Sequence, residues 1–315
     1  MDSVFHNGAQ GGFRQFPQST IVFLEEHLSP MSRQPFQLTM PKHVTTPVVV
    51  ASPHSGRGYD AAFLDTTVLD EERIRSSEDA YVDLLIERVP QLGVPLLTAG
   101  MPRAFLDLNR AAEELDPAVV QDVPRGAMNP RISSGLGVIP RVVAQGRAIY
   151  RGKITQEEAQ HRIETYWRPY HDQLHALLSS AHQQFGQAIL LDCHSMPHEA
   201  IATTGGKGRH AEVVLGDRFG SSAATDLVDT LEAVFEGLGL RVARNAPFAG
   251  AYVTQAYGQP DRGRHAIQIE IDRALYLNED LIERTTNFDA IRDLMTEAVA
   301  QFCLHIGQPR SLAAE

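Results

Sequence analysis

Apolar runs broken by polar turns recur along the chain and predict alternating strands and helices. "TPVVVASPHSG" is a β-branched run that meets Ser-Pro-His-Ser-Gly, the pattern of a buried strand entering a loop. "SSEDAYVDLLIERVPQLG" opens on cap-type serines and early acids. Val82, Leu85, Ile86 and Val89 then recur at helical spacing up to Gly93, which predicts one helix. "VPLLTAG" and "RAFLDL" read as two further short strands. Residues 155–184 carry a long helical pattern. "GQAILLDCHSMP" is a second strand-to-loop unit, and "EVVLGDRFGSSA" a third that runs into a helix ending near Gly237. The stretch from Gly239 holds one or two strands and a Gly-rich polar loop. A strictly alternating strand follows in "HAIQIEIDRALY", and the end of the chain is helical.

Strands alternating with helices predict an α/β fold around a mostly parallel sheet. Residues 1–45 are Gln-, Gly- and Pro-rich in places and read as an irregular lead-in, with room for one edge strand at "STIVFLE". Residues 46–315 read as a single domain. Residues 111–153 are rich in Gly, Pro and Arg, and a loop of that length inside a domain is often functional.

Composition narrows the function. The chain has 315 residues, enough for a full core, and a formal net charge of -11. That charge argues against a broad nucleic-acid or anionic-membrane surface, although a local arginine cluster can still hold a small anion. No apolar run approaches the ~20 residues of a membrane helix. Two cysteines, Cys193 and Cys303, and a start without the features of a secretory signal predict a cytoplasmic protein. Nothing in the sequence indicates an oligomeric state.

Ligands of parallel α/β sheets sit at the carboxyl ends of the strands. His54 and His194 both fall just there, and Glu78 and Asp79 open the predicted helix. Two imidazoles and a carboxylate form a familiar zinc set that leaves a position for water. Each residue also has a structural reading: either histidine as a hydrogen-bonding strand-end residue, either acid as a charge favouring a helix N-terminus. In "PRAFLDLNRA", Asp107 and Asn109 alternate onto one face and Arg103 and Arg110 flank them. An arginine beside an asparagine suits a carboxylate, while an Asp–Arg pair holding a turn is the alternative. In "HAIQIEIDRALY", Ile267, Ile269 and Ile271 make one apolar face. The other carries Gln268, Glu270 and Asp272, either as a solvated acidic face or with Glu270 as a general base in a cleft.

Taken in order, "SPHSG", "EDAYVDLL", "PRAFLDLNR", "GLGVIPRVV", "LLDCHSMP", "VVLGDRFG" and "AIQIEIDRALYLNE" resemble the N-formylglutamate amidohydrolase family. That family sits within the zinc carboxypeptidase-like hydrolases, beside the aspartoacylases. The resemblance spans roughly residues 45 to 300 and leaves the first ~40 unmatched. It implies a mixed, mainly parallel sheet between helices and one Zn2+ per chain, held by His54, Asp79 and His194. The aromatic-Val-Asp stretch that follows favours Asp79, with its neighbour Glu78 as the alternative ligand. It further implies Glu270 as the catalytic glutamate, Arg103 as the residue that polarises the substrate carbonyl, and Asn109 with Arg110 as the grip on the substrate α-carboxylate. The implied reaction is hydrolysis of N-formyl-L-glutamate in histidine degradation, with a small anionic N-acyl amino acid as partner.

Two rivals follow: an amidohydrolase for another N-acyl amino acid, and an inactive relative that binds an acidic ligand. Five arginines are candidates for a substrate side-chain carboxylate: Arg125, Arg131, Arg141, Arg262 and Arg264. Asp192 is a candidate partner for the His194 imidazole, and Cys193, where many relatives differ, reads as a small buried thiol. Tyr252 and Tyr257, between Gly250 and Gly258, read either as a closing flap or as ordinary loop aromatics.

Overall fold

The computed structural model describes residues 34–124, 129–202 and 210–307. Its centre is a seven-stranded sheet. The strands are β1 (Phe36–Thr39), β2 (Val48–Ser52), β3 (Leu96–Ala99), β4 (Ala188–Met196), β5 (Val213–Gly216), β6 (Val242–Arg244) and β7 (Arg264–Asp272). Their spatial order is β1-β3-β2-β4-β7-β5-β6. The pairs β3–β2, β2–β4, β4–β7 and β5–β6 are parallel, and β1–β3 and β7–β5 antiparallel. The sheet is thus mixed and mainly parallel, with helices on its faces.

Period-two alternation sorts the apolar side chains onto two faces. Ile189, Leu191 and Cys193 of β4 and Ile267, Ile269 and Ile271 of β7 join one core cluster. That cluster is closed by helices α3 (Thr225–Gly237) and α5 (Phe288–Gly307). Leu190 and Ala266 face the other way, into a second cluster with Tyr170, Leu174 and Leu178 of α2 (Arg168–Phe185). Helix α2 continues α1 (Gln156–Arg162) through a π-helical turn at Ile163–Trp167, just before Pro169, which has no N–H to give to a regular ladder. Among the described residues no helix is long and apolar enough to cross a membrane.

Three expectations change, and a fourth is not tested. Phe36–Thr39, inside the stretch expected to be irregular, is an edge strand of the sheet. The edge strand expected at "STIVFLE" lies outside the described residues. "RAFLDL" is not a strand but a series of turns, tied down by long-range bonds described below. The single helix expected over Ser76–Gly93 is broken into short pieces, Arg75–Ser77, Val82–Leu85 and Val89–Leu92. Tyr81 takes a left-handed conformation (φ 62°) and Pro90 sits in the run, so no continuous ladder forms. Val82, Leu85, Ile86 and Val89 still face the first core cluster, which is why their spacing looked helical.

Candidate functional site

The site grows from the carboxyl ends of β2, β4 and β7, which are adjacent and parallel. On β4 the face that carries Leu190 continues as Asp192 and His194. On β7 the face that carries Ala266 continues as Gln268 and Glu270. Apolar packing on this face therefore gives way to polar groups at the strand ends, and register sets His194 opposite Glu270. All these side chains are buried, so β7 is not a half-exposed strand with a solvated acidic face. Cys193 points to the opposite face, into the apolar core, and burial pushes its thiol up.

His54 follows β2 on a loop held close to the Ala99–Met101 turn. Only glycine fits at position 56, where a Cβ would fall 2.1 Å from the Met101 carbonyl oxygen. The Asp79 backbone N–H donates to the His54 carbonyl at 3.0 Å, which draws the Glu78–Asp79 turn to this loop.

His54, Asp79 and His194 each offer one ligand atom, and these atoms lie within 4.8 Å of one another, all buried. His54 Nδ1 is 3.4 Å from Asp79 Oδ2, and His194 Nδ1 is 2.9 Å from the same oxygen. The outer nitrogens are held from behind. His54 Nε2 bonds Asp107 Oδ1 at 2.8 Å, and His194 Nε2 bonds Asp192 Oδ2 at 3.0 Å. His54 Nδ1 is buried with no hydrogen-bond partner. Arg273 donates to Asp79 Oδ1 at 3.1 Å and to Ser195 Oγ at 3.1 Å, leaving Asp79 Oδ2 for the histidines. Burial alone would raise the Asp79 carboxyl, but His194 and His54 hold it well below the usual carboxylate range. Glu78 turns away: Tyr59 donates to it at 2.6 Å and Arg75 at 3.1 Å.

Arg103, Asp107, Asn109 and Arg110 sit on the turns that replaced the expected strand. The Asp–Arg pair is present, with Arg103 Nε donating to Asp107 Oδ2 at 3.1 Å. The segment is pinned to the α1–α2 helix. Arg162 Nη1 donates to the Phe105 carbonyl at 3.1 Å, Trp167 Nε1 to the Arg110 carbonyl at 2.9 Å, and His171 Nε2 to the Leu108 carbonyl at 2.9 Å. Asn109 Oδ1 accepts from the Val253 N–H at 2.8 Å, and its Nδ2 faces Gln268 Oε1 at 3.5 Å. Arg110 spends Nε on the Leu136 carbonyl (2.8 Å) and Nη1 on the Asn109 carbonyl (2.6 Å).

Gln268 donates to Glu270 Oε1 at 2.7 Å and accepts from the Ala251 N–H at 3.1 Å. The Ala251 N–H can only donate, so the amide oxygen must face it and the amide nitrogen must face Glu270. Burial raises Glu270 to about 7, against the pull of His194 and Arg103. A carboxyl near neutrality can both take and return a proton.

These groups line one cavity of about 580 Å³, shared by His54, Asp79, His194, Glu270 and the arginines 103, 110, 131 and 273. Arg141 is instead paired with Asp116 at 3.0 Å. Arg262 and Arg264 lie elsewhere on the molecule, and Arg125 falls outside the described residues. Tyr252 and Tyr257 begin and end helix α4 (Tyr252–Tyr257) and do not line the cavity. They join Trp167 and His171 in a ring cluster, with Tyr257 Oη donating to His171 Nδ1 at 2.9 Å. Gly258 is packed against the Ser222 backbone rather than free to swing. Sequence reasoning missed Gln268, Arg273 and His171 as supports. The alternation of β7 set Gln268 beside Glu270 without showing their bond, while the partners of Arg273 and His171 lie on distant segments that no local pattern marks.

A sequence profile described as N-formylglutamate amidohydrolase matches residues 46–277. A solved N-formylglutamate amidohydrolase from Ralstonia eutropha JMP134 superposes with a TM-score of 0.81 at 36% identity, covering 86% of this chain and 98% of that one. An N-formylglutamate deformylase of Pseudomonas aeruginosa is 28% identical over 275 residues, 82% of this chain and 95% of the relative. One of Pseudomonas putida is 28% identical over 240 residues, 74% of this chain and 82% of the relative.

Proposed function

The chain belongs to the N-formylglutamate amidohydrolase family, and from that membership we infer that it hydrolyses the amide of N-formyl-L-glutamate to formate and L-glutamate. The observation that carries the reading is the buried His54–Asp79–His194 group with Glu270 opposite His194 in one cavity. It supports an active enzyme over an inactive binding relative.

The donor set fits a bound metal. Two imidazoles and one carboxylate suit Zn2+, one per chain, with a position left open. Ligand atoms ~2.0–2.1 Å from a tetrahedral zinc lie about 3.3 Å apart, close to the 2.9 and 3.4 Å found here. An unpartnered nitrogen on buried His54 is costly unless something binds it. Asp107 and Asp192 fix the histidine tautomers that leave both Nδ1 atoms facing inward. Zinc held there supplies Lewis acidity, polarising a carbonyl and acidifying water.

The remaining steps belong to side chains. Glu270, one oxygen held by Gln268, takes the proton of the attacking water through the other and hands it to the glutamate nitrogen as the C–N bond breaks. Arg103, aimed into the cavity by its pair with Asp107, stabilises negative charge growing on the formyl oxygen. Asn109 and Arg110 hold the α-carboxylate. The free thiols Cys193 and Cys303 suit a reducing cytoplasm.

Release of L-glutamate from N-formyl-, N-acetyl- and N-succinyl-L-glutamate tests the substrate. Turnover of the formyl compound well above the other two is expected. Preference for a longer acyl group would move the enzyme to another N-acyl amino acid.

A further inference from the structure

The four cavity arginines are not equivalent. Arg103 is paired with Asp107 and Arg273 with Asp79. Among the described residues Arg110 bonds only carbonyl oxygens. Arg131 has no carboxylate within ion-pair distance among the described residues. The nearby acid Glu114 faces the Ala111 N–H and Asn129 Nδ2. Among the described residues the cavity therefore holds two guanidinium groups that are not ion-paired with an acid, in a chain with a formal charge of -11.

The two are built as one unit. Arg131 lies on the short helix Pro130–Ser133, whose start is capped by Asn129 Oδ1 accepting from the Arg131 N–H at 2.9 Å. The Leu136 N–H returns to the Arg131 carbonyl at 2.8 Å, and Arg110 Nε holds the Leu136 carbonyl at 2.8 Å. Arg141, although not in the cavity, braces the helix by donating to the Ser133 carbonyl at 3.3 Å. Burial is the main cause that lowers Arg110, and Arg103 and Arg131 lower it further against the pull of Asp107. Two guanidinium groups side by side in a cleft, neither ion-paired with an acid among the described residues, call for an anion with two negative groups.

We propose that Arg131 binds the side-chain carboxylate of the substrate, with Arg110 holding its α-carboxylate, so that this pair selects a dicarboxylic N-acyl amino acid. The assignment rests on the deformylase reading. Of the five arginines that composition offered for this role, Arg131 is the one placed in the cavity among the described residues.

The test uses Arg131→Ala and Arg131→Lys in the zinc-loaded protein, with two readouts. Calorimetry measures binding of glutarate and of pentanoate, which lacks the second carboxylate. Formate release is followed from N-formyl-L-glutamate and N-formyl-L-norvaline. Arg131→Ala is expected to weaken glutarate and to lower kcat/KM for the glutamate substrate on the order of 100-fold. Pentanoate and the norvaline substrate should stay within about threefold, and the lysine variant should fall between. If wild type turns over no formyl substrate yet its glutarate affinity depends on Arg131, the reaction is wrong and this assignment stands. If Arg131→Ala leaves glutarate binding unchanged, or lowers both substrates equally, the assignment is overturned whatever the reaction.

Discussion

His194 and Glu270 stand directly opposite one another on the adjacent parallel strands β4 and β7. A candidate metal ligand and a candidate base are thereby fixed to two buried central strands of the sheet, where neither can drift. Loops need only bring His54, Asp79 and the arginines to that edge.

Glu270→Gln keeps the shape of the base and removes its proton chemistry. It should lower kcat by about 10²–10⁴-fold while metal content stays at the wild-type level. Wild-type activity should also fall with acidity, since the base works ionised. Burial sets its titration near 7 in the metal-free protein, and a bound cation moves that edge lower. Steady-state kinetics across pH 5–8 with metal analysis would show both, and a glutamine variant with normal turnover would remove Glu270 from the mechanism.

Asp107 and Asp192 stand behind the two histidines. Replacing either by Ala frees the imidazole to rotate, and metal affinity should drop about 10–100-fold. Competition with a chromophoric chelator measures this, and unchanged affinity in both variants would contradict the inward-facing Nδ1 geometry.

Gln268→Leu removes the donor to Glu270 and the acceptor for the Ala251 N–H. The expected loss in kcat is on the order of tenfold, with KM changed less, because the lost contact orients the base rather than the substrate. A pure KM effect would show that Gln268 shapes the binding wall instead.

Much of this was legible in the sequence. The isoleucines at 267, 269 and 271 alternate because β7 is a strand, and the same alternation put Gln268 and Glu270 on one face. What failed had a common cause. "RAFLDL" alternates like a strand, yet its Phe105 and Leu108 carbonyls are held by Arg162 and His171 on a helix more than fifty residues away. Tyr81 adopts a left-handed conformation that no neighbouring residue announces. Arg273 reaches Asp79 across 194 positions. Such contacts belong to the folded topology and leave no local trace.

His171 gives a stability test. Burial lowers its pKa from 6.5 to about 4, against a weaker opposing bond to Leu108. Between those values the unfolded chain takes up a proton that the folded imidazole refuses. Stability should therefore be fully present above about pH 6.5 and fall as pH drops toward 4, with a contribution of about 3 kcal/mol at stake. His171→Phe should be less stable at pH 7 but lose less over that interval. Urea denaturation at several pH values tests this, and parallel pH curves for the two proteins would refute it.

The most direct measurement is to strip the protein with a chelator, return zinc in steps, and follow formate release from N-formyl-L-glutamate. Activity should vanish with the metal and return in full at about one Zn2+ per chain, and His194→Ala should recover nothing at that ratio. Full turnover in the metal-free protein, or full recovery by the His194 variant, would contradict the assignment of His54, Asp79 and His194 as the centre of the reaction.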